Sequence, residues 1–162
     1  MLPPRIATLL LAALTTTLCL AAPAPPQYPL LHVTVPQSHF EVLRMRQLYP
    51  LEPRAVADTE CIDRNAHIVF HDQNAAELSI CGGIAGSVKR CQGGPSMTQG
   101  RVGSALFTLK AADEGKTITL TKKRWEQCVR ASRAVCPTGS LSATCLGGAS
   151  RGGDVQFSLI AM

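Results

Sequence analysis

The sequence predicts a small α+β domain stapled by disulfides, and three observations carry that prediction. Six of the seven cysteines lie between Cys61 and Cys145. Residues 121–137 have strong helical periodicity. Residues 104–110 and 154–160 alternate apolar and polar side chains, as half-buried strands do.

In chain order, residues 67–70 and 77–81 are short strand candidates, parted by the polar Asp72-Gln73-Asn74. Gly82-Gly83 breaks the run, and 84–91 suggests a short helix stopped by Gly93-Gly94-Pro95. Residues 104–110 put Ala105, Phe107 and Leu109 on one side and Leu106 and Thr108 on the other. Asp113-Glu114-Gly115 is a turn, and 117–120 is expected to return as the second strand of a hairpin. Thr121 can accept a backbone N–H as the N-cap of the next helix. Trp125, Cys128, Val129, Ser132 and Cys136 form its buried stripe, with Lys122, Lys123, Arg124, Arg130 and Arg133 largely off that stripe. Pro137 ends the helix. A Gly-rich loop, Gly147-Gly148 and Gly152-Gly153, leads to a last strand in which Val155, Phe157 and Leu159 face the core. From Glu77 onward the expected order is strand, helix, strand, strand, helix, strand. This is the ferredoxin-like βαββαβ arrangement, with both helices on one face of an antiparallel sheet.

Three regions follow from composition. Residues 1–21 read as a signal peptide: Arg5 precedes an apolar run from Ile6 to Leu20, and small residues follow near Ala21. Residues 22–60 carry seven of the eleven prolines and no cysteine, and are expected to be a disordered leader or a propeptide. Leu43-Arg44-Met45-Arg46 resembles a processing site of fungal secreted proteins, and residues 41–49 suggest a turn or two of amphipathic helix. Residues 61–162 are the expected folded domain. They hold 12 Lys and Arg against 7 Asp and Glu, whereas residues 1–60 hold four of each, so the net charge of +5 sits in the domain.

Cleavage of the signal peptide removes Cys19 and leaves Cys61, Cys81, Cys91, Cys128, Cys136 and Cys145. In an oxidising compartment that even number implies three disulfides, and the sequence does not choose their pairing. No Cys-x-x-Cys pair is present, so these cysteines are expected to be staples and not metal ligands; no metal or cofactor is expected.

Cys128 and Cys136 flanking a helix, Cys145-Leu146-Gly147-Gly148, the Gly152-Gly153-Asp154 turn and a C-terminal strand together resemble the small secreted killer-toxin-like proteins of fungi, the KP4 and KP6 types. The resemblance covers roughly residues 77–162. It implies a disulfide-bonded effector that acts outside the producing cell on a host or a competitor.

Catalytic candidates are weak. His67 and His71 are four apart with Asp63 and Asp72 nearby, but no set of acid, base and cation at matching strand positions accompanies them. No serine has a Gly-x-Ser-x-Gly context, and no glycine-rich stretch carries a phosphate-loop lysine. The stronger candidate is the basic face formed by Lys122, Lys123, Arg124, Arg130 and Arg133, suited to a host or competitor surface protein, an anionic membrane or an acidic wall polymer. Aromatic residues are only 4% of the chain, which disfavours nucleic acid as the partner. The function expected is extracellular binding, with a membrane-active antifungal toxin or a small secreted hydrolase or ribonuclease as alternatives.

Overall fold

The fold is described from a computed structural model, which describes residues 34–162. The expected signal peptide and the start of the expected leader lie outside the described residues.

Five antiparallel strands form one sheet: β1 (Val56–Asp63), β2 (Met97–Val102), β3 (Ala105–Ala111), β4 (Ser140–Cys145) and β5 (Val155–Ala161), in spatial order β1-β4-β5-β3-β2. Alternation explains the three central strands. Ala105, Phe107, Leu109 and Ala111 of β3 are buried, and so are Val155, Phe157 and Leu159 of β5. Register places Phe107 opposite Leu159 and Leu109 opposite Phe157, so these side chains share one face. Leu141, Ala143 and Cys145 of β4 extend it opposite Leu159, Phe157 and Val155.

Among the described residues three α-helices accompany the sheet: α1 (Gln37–Leu48), α2 (Phe70–Ser79) and α3 (Lys122–Val135). Trp125 of α3 is fully buried and meets Phe107 and Phe157 edge-on, with ring centroids 5.2 and 4.9 Å apart. Its indole N–H donates to the Glu77 carbonyl of α2 at 2.8 Å, so the largest core side chain has no orphan donor. α2 crosses β2 at Gly100, where an added Cβ would collide with the Ala76 carbonyl oxygen. α1 packs on α2 and α3. Thr121 caps α3 as expected, accepting from the Arg124 amide at 3.2 Å, and the helix stops before Pro137.

All six cysteines among the described residues pair: Cys61–Cys136 ties β1 to the end of α3, Cys128–Cys145 ties α3 to β4, and Cys81–Cys91 closes the loop after α2.

Several expected elements are corrected. Residues 67–70 and 77–81 are not strands: the first pair of turns of α2 begins at Phe70, and Glu77 lies inside that helix. Its buried side includes Gln73, Asn74 and Glu77, so apolar periodicity could not reveal it. Residues 84–91 form no helix, because the chain is folded back by the Cys81–Cys91 bond and by positive φ at Gly82, Gly83 and Gly86. The hairpin partner of β3 is the preceding β2, through a turn at Gly103, and not 117–120. Residues 117–120 contribute only a single bridge, Ile118 to Ala149, and two buried side chains, Ile118 and Leu120. The chain order therefore differs from the expected one. Within β4-β5-β3-β2, the strand that a ferredoxin-like order places first in the chain comes last, as β5, and β1 adds a fifth strand beside β4.

The folded unit also starts earlier than Cys61. Among the described residues, α1 and most of β1 come from the stretch expected to be a disordered leader. Val42 and Met45 are the reason: both are buried in the main core. The resemblance to a processing site at 43–46 falls inside α1, with Met45 buried and Arg46 bonded beneath the helix.

Candidate functional site: a basic groove along the first helix

The five basic residues of α3 do not form one open face. Lys122 binds the Glu41 carboxylate of α1 and donates to the Gly86 carbonyl at 2.8 Å. Arg124 donates to the Leu146 carbonyl at 2.8 Å and pairs with Glu52 at 3.2 Å. Arg130 gathers three carbonyls at the end of α1, those of Arg46, Tyr49 and Pro50, at 2.9–3.2 Å. These are acceptors that a helix C-terminus and the turn after it leave open, so Arg130 acts as a side-chain cap. Arg133 donates to Gln73 and to the Cys136 and Gly139 carbonyls, and burial, followed by the charge of Arg46, lowers its pKa to about 10. Lys123 alone is exposed, with its ammonium 4.1 Å from the centroid of the Tyr49 ring. Four of the five thus hold residues 37–54 and the loops around α3 in place.

Beneath α1 lies a layer of buried charge. The side chains of Glu77 and Glu126 are fully buried, and Arg46 reaches over both, 3.6 Å from the first and 3.4 Å from the second. Arg130 stands 3.2 Å from Glu126. None of these approaches has hydrogen-bond geometry, so all four carboxylate oxygens lack a hydrogen-bond donor. Arg46 does donate to Asn74 at 3.2 Å, and Asn74 in turn meets His39 at 3.0 Å. Burial raises the pKa of Glu77 to about 8; Arg46 opposes the rise and Glu126 reinforces it. Burial raises Glu126 as well, against Arg130 and Arg46. On the far side of α1, burial would raise Glu41, but the Gly86 amide and Lys122 outweigh it and hold that carboxyl below its ordinary value.

The outer side of α1 faces three clefts that share lining residues. The first, about 440 Å³, includes Phe40 and Arg44; the second, about 580 Å³, shares Arg44 and adds Leu48, Lys89, Arg90 and Lys123. The third, about 500 Å³, shares Tyr49 and Lys123 with the second and adds Leu51 and Arg54. Together they make one groove that follows α1, about 18 Å at 1.5 Å per residue, and continues into the loop after it. Arg44, Arg54, Lys89, Arg90 and Lys123 are all exposed, and none is in an ion pair among the described residues. The acidic residues on the groove, Glu41 and Glu52, are already paired with Lys122 and Arg124. The groove is therefore a concentrated positive field with its counter-charges spent internally.

Of the groove cations, only Lys123 was a candidate from the sequence. Arg44 and Arg54 belonged to the expected leader, and Lys89 and Arg90 to an expected helix. The available signal was the spacing Phe40, Arg44, Leu48, a helical stripe of four-residue steps.

The histidine candidates separate. His67 is exposed in the loop before α2. His71 pairs with Asp72 at 3.1 Å, while the same carboxylate accepts from the amide and hydroxyl of Ser104, both at 2.9 Å. No cluster of three or more metal-ligating side chains occurs among the described residues.

No known protein family, no functionally described protein and no solved structure matches this chain. The resemblance to killer-toxin-like proteins accordingly stands on the sequence features given above.

Proposed function

We propose that this chain is a secreted cysteine-rich effector that acts by binding a host or competitor molecule outside the producing cell, and that the partner presents negative charge to the groove along α1. The observation that carries this is the set of five exposed, unpaired cations on one groove whose acidic neighbours are neutralised internally. Three disulfides and an N-terminal apolar run that reads as a signal peptide support an extracellular setting. The killer-toxin-like resemblance supports the same class of protein.

The test replaces Arg44, Arg54, Lys89, Arg90 and Lys123 with Gln and measures salt-dependent retention on immobilised heparin and on polygalacturonate. A control replaces Arg101, Lys110 and Arg151, exposed cations that do not line the groove, with Gln. Retention should collapse in the first variant and persist in the second. Equal retention of the two variants would sink the groove as the binding site.

A further inference from the structure

The groove cations share their surface with large apolar side chains that stay exposed among the described residues. Phe40 is 51% exposed, Leu48 64% and Leu51 41%. Phe40, Arg44 and Leu48 fall at four-residue intervals and so form one outward stripe of α1, apolar, cationic, apolar. Leu51 and Arg54 continue the pairing past the helix end, and Lys89, Arg90 and Lys123 flank it.

A soluble polyanion needs the cations of such a surface but gains nothing from Phe40, Leu48 and Leu51. A lipid surface uses both. Apolar side chains enter the boundary between headgroups and acyl chains, while Lys and Arg meet the phosphates. We infer that this rim docks on an anionic phospholipid surface, with Phe40, Leu48 and Leu51 entering the headgroup boundary and Arg44, Arg54, Lys89, Arg90 and Lys123 facing the lipid charges. This inference rests on the binding role proposed above and narrows its partner to a membrane.

The mode is surface attachment. No helix among the described residues is long and apolar enough to cross a membrane. Attachment needs the stripe to be held in one orientation, and the structure supplies that hold from beneath. Val42 is buried on the opposite side of α1, Met45 is buried at the floor of the second cleft, Arg130 caps the helix end, and Lys122 pins Glu41. The stripe is presented ready-made, so little ordering opposes docking.

The experiment measures co-sedimentation of the secreted protein with vesicles of phosphatidylcholine, with and without phosphatidylserine, and retention on polygalacturonate in parallel. The wild type should bind only the vesicles that contain phosphatidylserine, and added salt should weaken it. Changing Phe40, Leu48 and Leu51 to Ser should lower vesicle affinity by about tenfold or more while leaving polygalacturonate retention in place. The five-cation variant should lose on the order of a thousandfold, since each cation near an anionic bilayer contributes about fivefold. All three apolar positions are exposed, and intact disulfides with an unchanged circular dichroism spectrum will establish that the variants fold. If the serine variant binds vesicles as the wild type does, the inference is wrong. If the wild type holds polygalacturonate but no vesicle, the groove remains an anion site and the membrane is not its partner. If neither probe is bound, both the inference and the proposed function fall.

Discussion

The two interfaces of α3 are built on opposite principles. Toward the sheet, α3 presents Trp125 to Phe107 and Phe157, an apolar contact whose single polar atom is satisfied, and Cys128 fixes it covalently to β4. Toward α1 and the turn after it, it presents Glu126, Gln127 and Arg130, and α2 adds Asn74 and Glu77, while Arg133 holds Gln73 of α2. The first interface excludes water and gains from burial itself. The second buries ionisable groups and offsets part of their desolvation cost by pairing and, at Glu77, by retaining the proton. The sheet side fixes the fold, and the α1 side holds in place a surface element made of polar clasps.

The sharpest test of this contrast is at the apolar interface. Trp125→Ala should cost about 3–5 kcal/mol, because it empties a fully buried site between two strands and two helices. Chemical denaturation should show a loss of global stability, with every probe reporting the same midpoint.

Next in size is Arg46→Ala, which leaves Glu77 and Glu126 buried with their shared cation gone. A loss of about 3 kcal/mol is expected. Hydrogen exchange should place the loss first in α1 and leave β3 and β5 protected. Replacing Arg46, Glu77 and Glu126 together by Met, Leu and Leu should restore stability to near or above the wild-type value, since the two buried carboxyls and their shared cation then vanish together while Arg130 keeps its three carbonyl acceptors. A triple variant as unstable as Arg46→Ala alone would show that the cluster is a net source of stability and would overturn the contrast.

The smallest effect is a pH slope. Folded Glu77 keeps its proton up to about pH 8, whereas in the unfolded chain the group titrates near 4.5. The folded state therefore binds more protons in that window, and its stability falls as pH rises from about 4.5 through about 8. His39 acts in the opposite sense: burial, then His71 and Arg46, lower its pKa below 6.5, so its contribution is lost as pH falls. Above pH 6.5 the His39 effect is largely complete, and the raised carboxyls govern the slope, Glu77 with Glu126 in the same sense. Melting temperature should drop from pH 6.5 to 8.5 in the wild type and should drop less in Glu77→Gln.

The same contrast explains what could be read from the chain. The apolar interface was legible: alternation in β3 and β5, the Trp125 stripe, the Thr121 cap and the even set of cysteines are each local patterns with a physical cause. The polar interface was not. α2 buries Gln73, Asn74 and Glu77, so its inward side resembles a surface. β2 reads as polar because Gly100 has to admit the Ala76 carbonyl, leaving no room for an apolar side chain there. α1 was hidden by the prolines around it, and only Val42 and Met45 anchor it in the core. The charge of α3 was visible, but its destination depended on carbonyls of residues 46–50, more than 75 positions away in the chain.

One consequence concerns covalent connectivity. All three disulfides join residues at or beyond Cys61, so residues 34–60 are retained by the peptide backbone and by noncovalent contacts alone. Leu51, Glu52, Pro53 and Arg54 form an exposed connection between α1 and β1. A single proteolytic cut there would leave the sheet, α2 and α3 as one cross-linked piece, while α1 would be free to leave with Phe40, Arg44 and Leu48. One cut in that loop would thus remove the exposed stripe of α1 while the cross-linked remainder of the domain stays in one piece.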